Sequence, residues 1–512
     1  AALCDIEYGD LFAGRYIYLP VCFSPQTTFG MGYCFSQCEC EKLLNDAAVT
    51  NENKEVLKSI IQFWQTENTA NQVREAYPPN MKQYFQEDIS NSSGIGFPLY
   101  RMSGSQLDLK KLIEKGIPGL LNDIDVNMYK NKALFTAMKS ALQTLIDVCF
   151  YYKEQALNLA NDTDNNKWRD ELIQMSVALE RITTQKPSSF REGIQLIHLY
   201  VLISDTRNYG RMDDYLGDLY AADIDSGKIT QETARALLES FWKLIIAREI
   251  EFDGRVVIGG KGRTNEKNAD RFAILAMETS KNIKEVLPQL TLRCYEGMDE
   301  KVYEKAIEVI GKGTTFPMLY NDDVNIPSVA KAFDVSEAEA INYIPYGCGE
   351  YILYHRSFGT PSGAINLLHA LDVTLRNGRD PFTSNIQGLQ LGSLCDFQTF
   401  EELFEAYCKQ ITFFVELLAD QEELEYKIAG ENAGYLYFSM LYDDCIERGK
   451  AIFSGGITYL GGTLETYGNT NTADSLTAIK YHIYDHKTIT KKELIKAVDM
   501  NFAGYKHIQK ML

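Results

Sequence analysis

Two alternating periods limit what this chain can fold into. Short β-prone runs at residues 255–258, 289–292, 317–320 and 343–346 are separated by long stretches whose apolar residues recur every three to four positions. Buried strands alternating with helices need crossover connections, so this order predicts a parallel α/β architecture. A helix is predicted over 51–65, and from Asn131 onward Leu134, Met138, Leu142, Leu145, Ile146 and Cys149 mark one face of a core helix. Ser336 with Glu339 and Thr490 with Glu493 have capping-box spacing. Pro361 suits a first helical position, and Gly378 suits a helix C-terminus. No internal repeat, low-complexity tract or Pro/Ser linker divides the chain. The 512 residues therefore read as one barrel-like α/β domain with an irregular N-terminal part over about 1–130. In such folds the chemistry sits on loops at strand ends.

Charge and cysteine use narrow the function. With 51 Lys+Arg against 70 Asp+Glu, the net charge of −19 argues against a nucleic-acid surface, because phosphate contacts need clustered cations. No run of about 18 apolar residues is present to span a bilayer. Residues 1–10 lack the basic start and apolar core of a signal peptide, so the expected setting is cytoplasmic, with no membrane partner. Eleven irregularly spaced cysteines suit free thiols in a reducing compartment.

The most informative segment is Tyr343-Ile-Pro-Tyr346-Gly347-Cys348-Gly349-Glu350-Tyr351. Glycines on both sides of Cys348 let the backbone turn sharply and a reactant approach the sulfur, and Glu350 supplies an acid or base two residues away. The same string also fits a buried cysteine in a Gly-rich turn. An ordinary thiolate mechanism would want a histidine; His355 is near in sequence, which does not make a pair.

From this point the sequence resembles the glycyl radical enzyme family, the pyruvate formate-lyase-like proteins. The blocks are Tyr209-Gly-Arg211-Met-Asp213-Asp-Tyr215, Gly259-Gly260-Lys261-Gly262-Arg263 and Pro288-Gln-Leu-Thr-Leu-Arg293. They continue with Thr315-Phe-Pro317-Met-Leu-Tyr320-Asn321-Asp322-Asp323, Gly455-Gly456-Ile-Thr-Tyr459 and Asn471-Thr-Ala-Asp474-Ser475-Leu, in order around the Cys348 loop. The resemblance implies a ten-stranded β/α barrel of two parallel half-sheets. Cys348 would form a thiyl radical that abstracts hydrogen from a small polar metabolite, with Glu350 as acid/base. The outcome would be C–O, C–N or C–C cleavage by a lyase or dehydratase. It also implies a radical S-adenosylmethionine activating enzyme as partner and a homo-oligomer.

Three departures shape that expectation. Formate acetyltransferases carry two adjacent cysteines on this loop, whereas Gly347 precedes Cys348 here, so the pair used for acyl transfer is missing. The family's radical glycine lies in an Arg-Val-x-Gly-Tyr motif that does not occur here. The nearest match, Asn501-Phe-Ala-Gly504-Tyr505, lacks the Arg-Val and follows a helical pattern. The expectation is a split enzyme whose glycyl radical arrives on a separate small protein; the alternatives are a truncated chain, a non-catalytic small-molecule-binding homologue, and formate acetyltransferase-like acyl transfer. Diol dehydratases carry a His in the early block, where Tyr100-Arg-Met-Ser103-Gly-Ser105 has none. They also carry an acid shortly after the Cys loop, where no carboxylate stands between Glu350 and Asp372. Arg293, Asn321, Asp322, His355 and Arg356 are the candidates to set pocket polarity instead, arginine being suited to a carboxylate or phosphate.

No metal site is predicted. Cys34-Phe-Ser-Gln-Cys38-Glu-Cys40, with Cys22 upstream, fits no standard ligand spacing and reads as small buried residues. Gly259-Gly-Lys-Gly262 lacks phosphate-loop spacing and reads as a structural turn.

Overall fold

The computed structural model describes residues 2–17, 21–23, 33–35, 37–85, 94–99, 104–249, 254–347, 349–359 and 361–512. Along the chain, β1 (Ala2–Cys4) pairs antiparallel with β2 (Arg15–Ile17), and β3 (Val21–Phe23) with β4 (Tyr33–Phe35). Then come β5 (Gly96–Pro98), β6 (Val256–Gly259), β7 (Leu290–Cys294) and β8 (Met318–Asn321). A hairpin of β9 (Tyr343–Tyr346) and β10 (Glu350–Leu353) precedes β11 (Pro361–Asn366) and β12 (Thr463–Tyr467). The chain divides into two units: Ala1–Thr69, Met102–Thr360 and Ala429–Gly461 form one, and Ala70–Arg101, Pro361–Ile428 and Gly462–Leu512 the other.

In the first unit the predicted alternation is present. β6, β7 and β8 form a parallel sheet in that order, and the helices Glu266–Ile283 and Glu300–Gly311 make the crossovers. All of β6 and most of β7 are buried, as parallel strands covered on both faces should be. The run at 343–346 is a strand too, but it pairs antiparallel with β10 beside it. A second correction concerns the helix Lys132–Asp162, which is long and apolar enough by composition to cross a membrane, against the expectation that no such run exists. Its Phe135, Met138, Leu142, Leu145 and Cys149 are buried inside the protein. Cys22 faces Cys34 in the register of β3 and β4, and Cys40 is buried. The side chains of Cys22, Cys34 and Cys38 fall outside the described residues.

The second unit is built on the sheet β12-β11-β5, with β11 parallel to β12 and antiparallel to β5. Pro361 opens a strand here, where a first helical position was expected. Thr490 makes a full capping box with Glu493, whereas Ser336 caps its helix without the reciprocal bond. Gly378, at φ 80°, donates to the Val373 carbonyl and closes the turn beyond the helix Leu367–Thr374. The long helix Phe400–Asn432 lays Phe414 and Leu418 close against Gly96, and Leu418 also against Gly363.

Farther along that helix face, Gln421 and Glu425 are buried, at 0% and 2% exposure. Gln421 Nε2 donates to Glu425 Oε2 at 3.1 Å, and the Oε1 atom of each has no hydrogen-bond partner among the described residues. Burial pushes the Glu425 carboxyl up to about 8, from an ordinary 4.5. The folded state then keeps a proton that the unfolded chain releases, so stability drains away as pH rises from about 4.5 towards 8. Glu425→Gln should remove a cost on the order of 3 kcal/mol at pH 7 and give Gln421 Oε1 a donor. Thermal melts should show the variant's advantage small at pH 5 and wide at pH 8; parallel curves would contradict this.

Candidate active site

The hairpin that carries the Gly-Cys-Gly-Glu string lies on one face of the β6-β7-β8 sheet. Side chains alternate along its strands. Ile344, Tyr346, Ile352 and Tyr354 cluster with Val257 of β6, while Tyr343 and Leu353 pack with Ile326, Val329 and Ala340. The turn is residues 347–349, between the paired Tyr346 and Glu350. Cys348 itself lies outside the described residues, so the site is defined by its two neighbours and by what holds them.

Gly347 adopts φ 50° and Gly349 φ 131°, both in the region that disfavours a side chain. A Cβ at Gly347 would stand 2.6 Å from Glu350 Oε2, so the missing side chain is what lets the Glu350 carboxylate fold back over the turn. There Oε2 accepts from the Gly349 amide at 3.1 Å, and the same amide is 2.9 Å from the Tyr346 carbonyl. The Tyr320 hydroxyl approaches the other side, 3.3 Å from where a Cβ on Gly349 would sit.

Two buried arginines hold the hairpin at its ends. Near the carboxyl end of β7, Arg293 Nη1 and Nη2 donate at 3.0 Å to the Tyr343 and Ile341 carbonyls. Its Nε and Nη2 clasp both oxygens of Asp322, at 2.8 and 2.9 Å. Both side chains of this pair are fully buried. Tyr343 donates to Asp322 Oδ1 at 2.7 Å, and the Lys261 amide to Oδ2 at 2.8 Å. The Gly259–Gly262 turn closes over this pair, as a Cβ on Gly260 would meet Arg293 Nε at 2.8 Å. At the other end, Arg255, just ahead of β6, donates from Nη2 to the Gly347 carbonyl at 2.6 Å.

The sequence candidates therefore separate. Glu350 is at the turn. Arg293 and Asp322 are engaged with each other and with backbone at the hairpin base. Asn321 caps the helix Asp322–Phe333 by accepting from the Asp323 amide at 2.9 Å, and it lines a surface cleft with Cys294, Glu296 and Tyr320. Arg356 donates to Glu339 at 2.6 Å, and Tyr459 shares that carboxylate. His355 Nδ1 is 3.1 Å from Asp443 Oδ2 and its Nε2 is 3.9 Å from Asp108 Oδ2. Burial works against the Asp443 carboxylate, but contact with His355 outweighs it and holds the group below its usual range. Ligand atoms of Asp108, His355 and Asp443 lie within 4.8 Å of one another, within reach of a cation. A histidine ring between two carboxylates meets the same geometry without one. Arg255 and Tyr320, which border the turn, were not singled out by sequence. An arginine ahead of a strand looks like an edge residue until the register is known.

The whole chain superposes on glycyl radical enzyme structures, which sets the fold class as their β/α barrel. The glycerol-bound B12-independent glycerol dehydratase from Clostridium butyricum aligns with a TM-score of 0.86 at 20% identity, over 100% of this chain and 68% of that one. A glycyl radical enzyme from Archaeoglobus fulgidus aligns with a TM-score of 0.84 at 20% identity, over 99% and 68%. Residues 4–512 match the pyruvate formate lyase-like family, and the chain belongs to it. Trans-4-hydroxy-L-proline dehydratase from Clostridioides difficile is 26% identical over 495 residues, 90% of this chain; the chain spans 62% of that relative's length.

Proposed function

We propose that this chain is the barrel portion of a glycyl radical lyase or dehydratase acting on a small polar metabolite. The observation that carries the reading is the turn itself: Cys348 between two left-handed glycines, with the Glu350 carboxylate folded over it in the space a side chain at 347 would occupy. A docked glycyl radical would supply a one-electron oxidised centre, and Cys348 is the residue that would give up its thiol hydrogen atom to it. The Cys348 sulfur then removes hydrogen from a substrate carbon, which weakens the neighbouring bond. Glu350 moves the proton that accompanies the leaving group. Cys348 returns a hydrogen atom to the product carbon and is again a thiyl radical, which starts the next turnover or recovers the hydrogen atom it first gave up, so the cycle closes without net oxidation. A turn with a single cysteine favours elimination over acyl transfer through a cysteine pair.

These 512 residues contain no Arg-Val-x-Gly-Tyr segment. The reading therefore draws the radical from protein outside them. A separate small glycyl-radical-bearing protein, charged by a radical S-adenosylmethionine enzyme in an anaerobic cytoplasm, is the proposed arrangement; a continuation of the same polypeptide is the other outcome of the test. Mixing the chain with such a protein and its activating enzyme should give a glycyl signal by electron paramagnetic resonance. It should also give turnover on a panel that includes trans-4-hydroxy-L-proline and glycerol. Glu350→Gln should keep the signal and lower kcat by about 10²–10⁴-fold. A full signal with bound panel compounds and no turnover would favour a non-catalytic binding protein.

A further inference from the structure

We propose that Arg255 is a positioning residue that fixes the peptide joining Gly347 to Cys348. The inference rests on the reading of Cys348 as the reacting thiol, but its geometry stands apart from that chemistry. Arg255 is 1% exposed. Its Nη2 donates to the Gly347 carbonyl at 2.6 Å and to Gln289 Oε1 at 3.0 Å, and its Nη1 donates to Thr291 Oγ1 at 2.6 Å. Its backbone is tied in turn: the amide donates to Asn208 Oδ1 at 3.2 Å, and the carbonyl accepts from the Tyr209 amide at 2.8 Å.

Burying a guanidinium is costly, and it persists where its planar fork meets several acceptors at fixed angles. Here the acceptors include Thr291 of β7, Gln289 just before it, the Met318 sulfur at 3.9 Å and the turn. The turn's glycines at φ 50° and 131° have wide backbone freedom. The Gly349 amide is tied to the Tyr346 carbonyl and to Glu350 Oε2, and Arg255 ties the Gly347 carbonyl. A misplacement of about 1 Å in a reacting group costs on the order of 10²-fold in rate, so a clamp on this peptide bears directly on hydrogen transfer.

The test is hydrogen exchange by mass spectrometry on the full chain, which needs neither radical nor substrate and so can fail independently of the proposed function. Arg255→Lys keeps the charge and loses the fork. It should speed exchange across 347–350 by about 10-fold and leave the helices Lys132–Asp162 and Glu266–Ile283 as in the parent protein. Arg255→Ala should show the same local loss, restored by added guanidinium ion. Thr291→Val with Gln289→Met keeps the arginine but removes two of its side-chain anchors; it should move exchange the same way by a smaller factor, and it decides the question if the Arg255 variants do not fold. Unchanged exchange at 347–350 in folded variants would overturn the proposal. So would a rise shared equally by the helices, because Arg255 would then support only the fold.

Discussion

Cys348→Ser should leave the chain folded and stop turnover, lowering the rate of the radical-loaded complex by at least about 10⁴-fold, which is about 5.5 kcal/mol in the barrier. The substitution is nearly isosteric, and both flanking glycines keep their conformations, so melting should shift little. The chemistry changes completely. An O–H bond is far stronger than an S–H bond, so a carbon radical that can take hydrogen from a thiol cannot take it from serine, and no hydroxyl in the turn can replace the sulfur. The paired measurements are the glycyl signal and the rate: signal retained with turnover gone. Full turnover in Cys348→Ser would sink the radical reading, whatever the family match. Comparison with Glu350→Gln gives the order of events, because removing the proton carrier leaves hydrogen abstraction possible. Label wash-in at the substrate carbon should survive in Glu350→Gln and vanish in Cys348→Ser.

How far the sequence foretold this site depends on which interactions are local. The strands β6, β7 and β8 were legible because strands buried on both faces read as short apolar runs between helical patterns. The glycine turn was legible because Gly347, Gly349 and Glu350 stand close together in the chain. Pro361 misled because a residue lacking an amide hydrogen is tolerated equally at the start of a helix and at the start of a strand. The run 343–346 was identified as a strand but not as half of a hairpin, although a three-residue glycine turn leads straight into β10. Arg293 and Asp322 read as polar groups fit for a substrate. What gives them to each other is the parallel register that puts Arg293 opposite Tyr320, two residues before the helix that begins at Asp322. That register is a tertiary fact, and so is the reach of Arg255 to the Gly347 carbonyl.

The Arg293 and Asp322 pair makes the largest stability prediction. Arg293→Met should cost about 3–5 kcal/mol, because among the described residues it leaves a fully buried carboxylate with the Tyr343 hydroxyl and the Lys261 amide as its remaining donors. It also strips the Ile341 and Tyr343 carbonyls of their donors at the hairpin base. Asp322→Leu should cost a comparable amount from the other side, by burying an unpaired guanidinium. The double variant Arg293→Met with Asp322→Leu should recover a good part of the loss, since a buried ion pair can be replaced by apolar groups of similar volume at little net cost. Recovery should stop short of complete: the Lys261 amide loses its acceptor and the two carbonyls remain without donors, and each buried group left unsatisfied costs about 1–3 kcal/mol. Urea unfolding of the two single variants and the double gives the coupling directly. Strictly additive costs would mean that the two residues act independently, and that the base of the hairpin is held by something other than their contact.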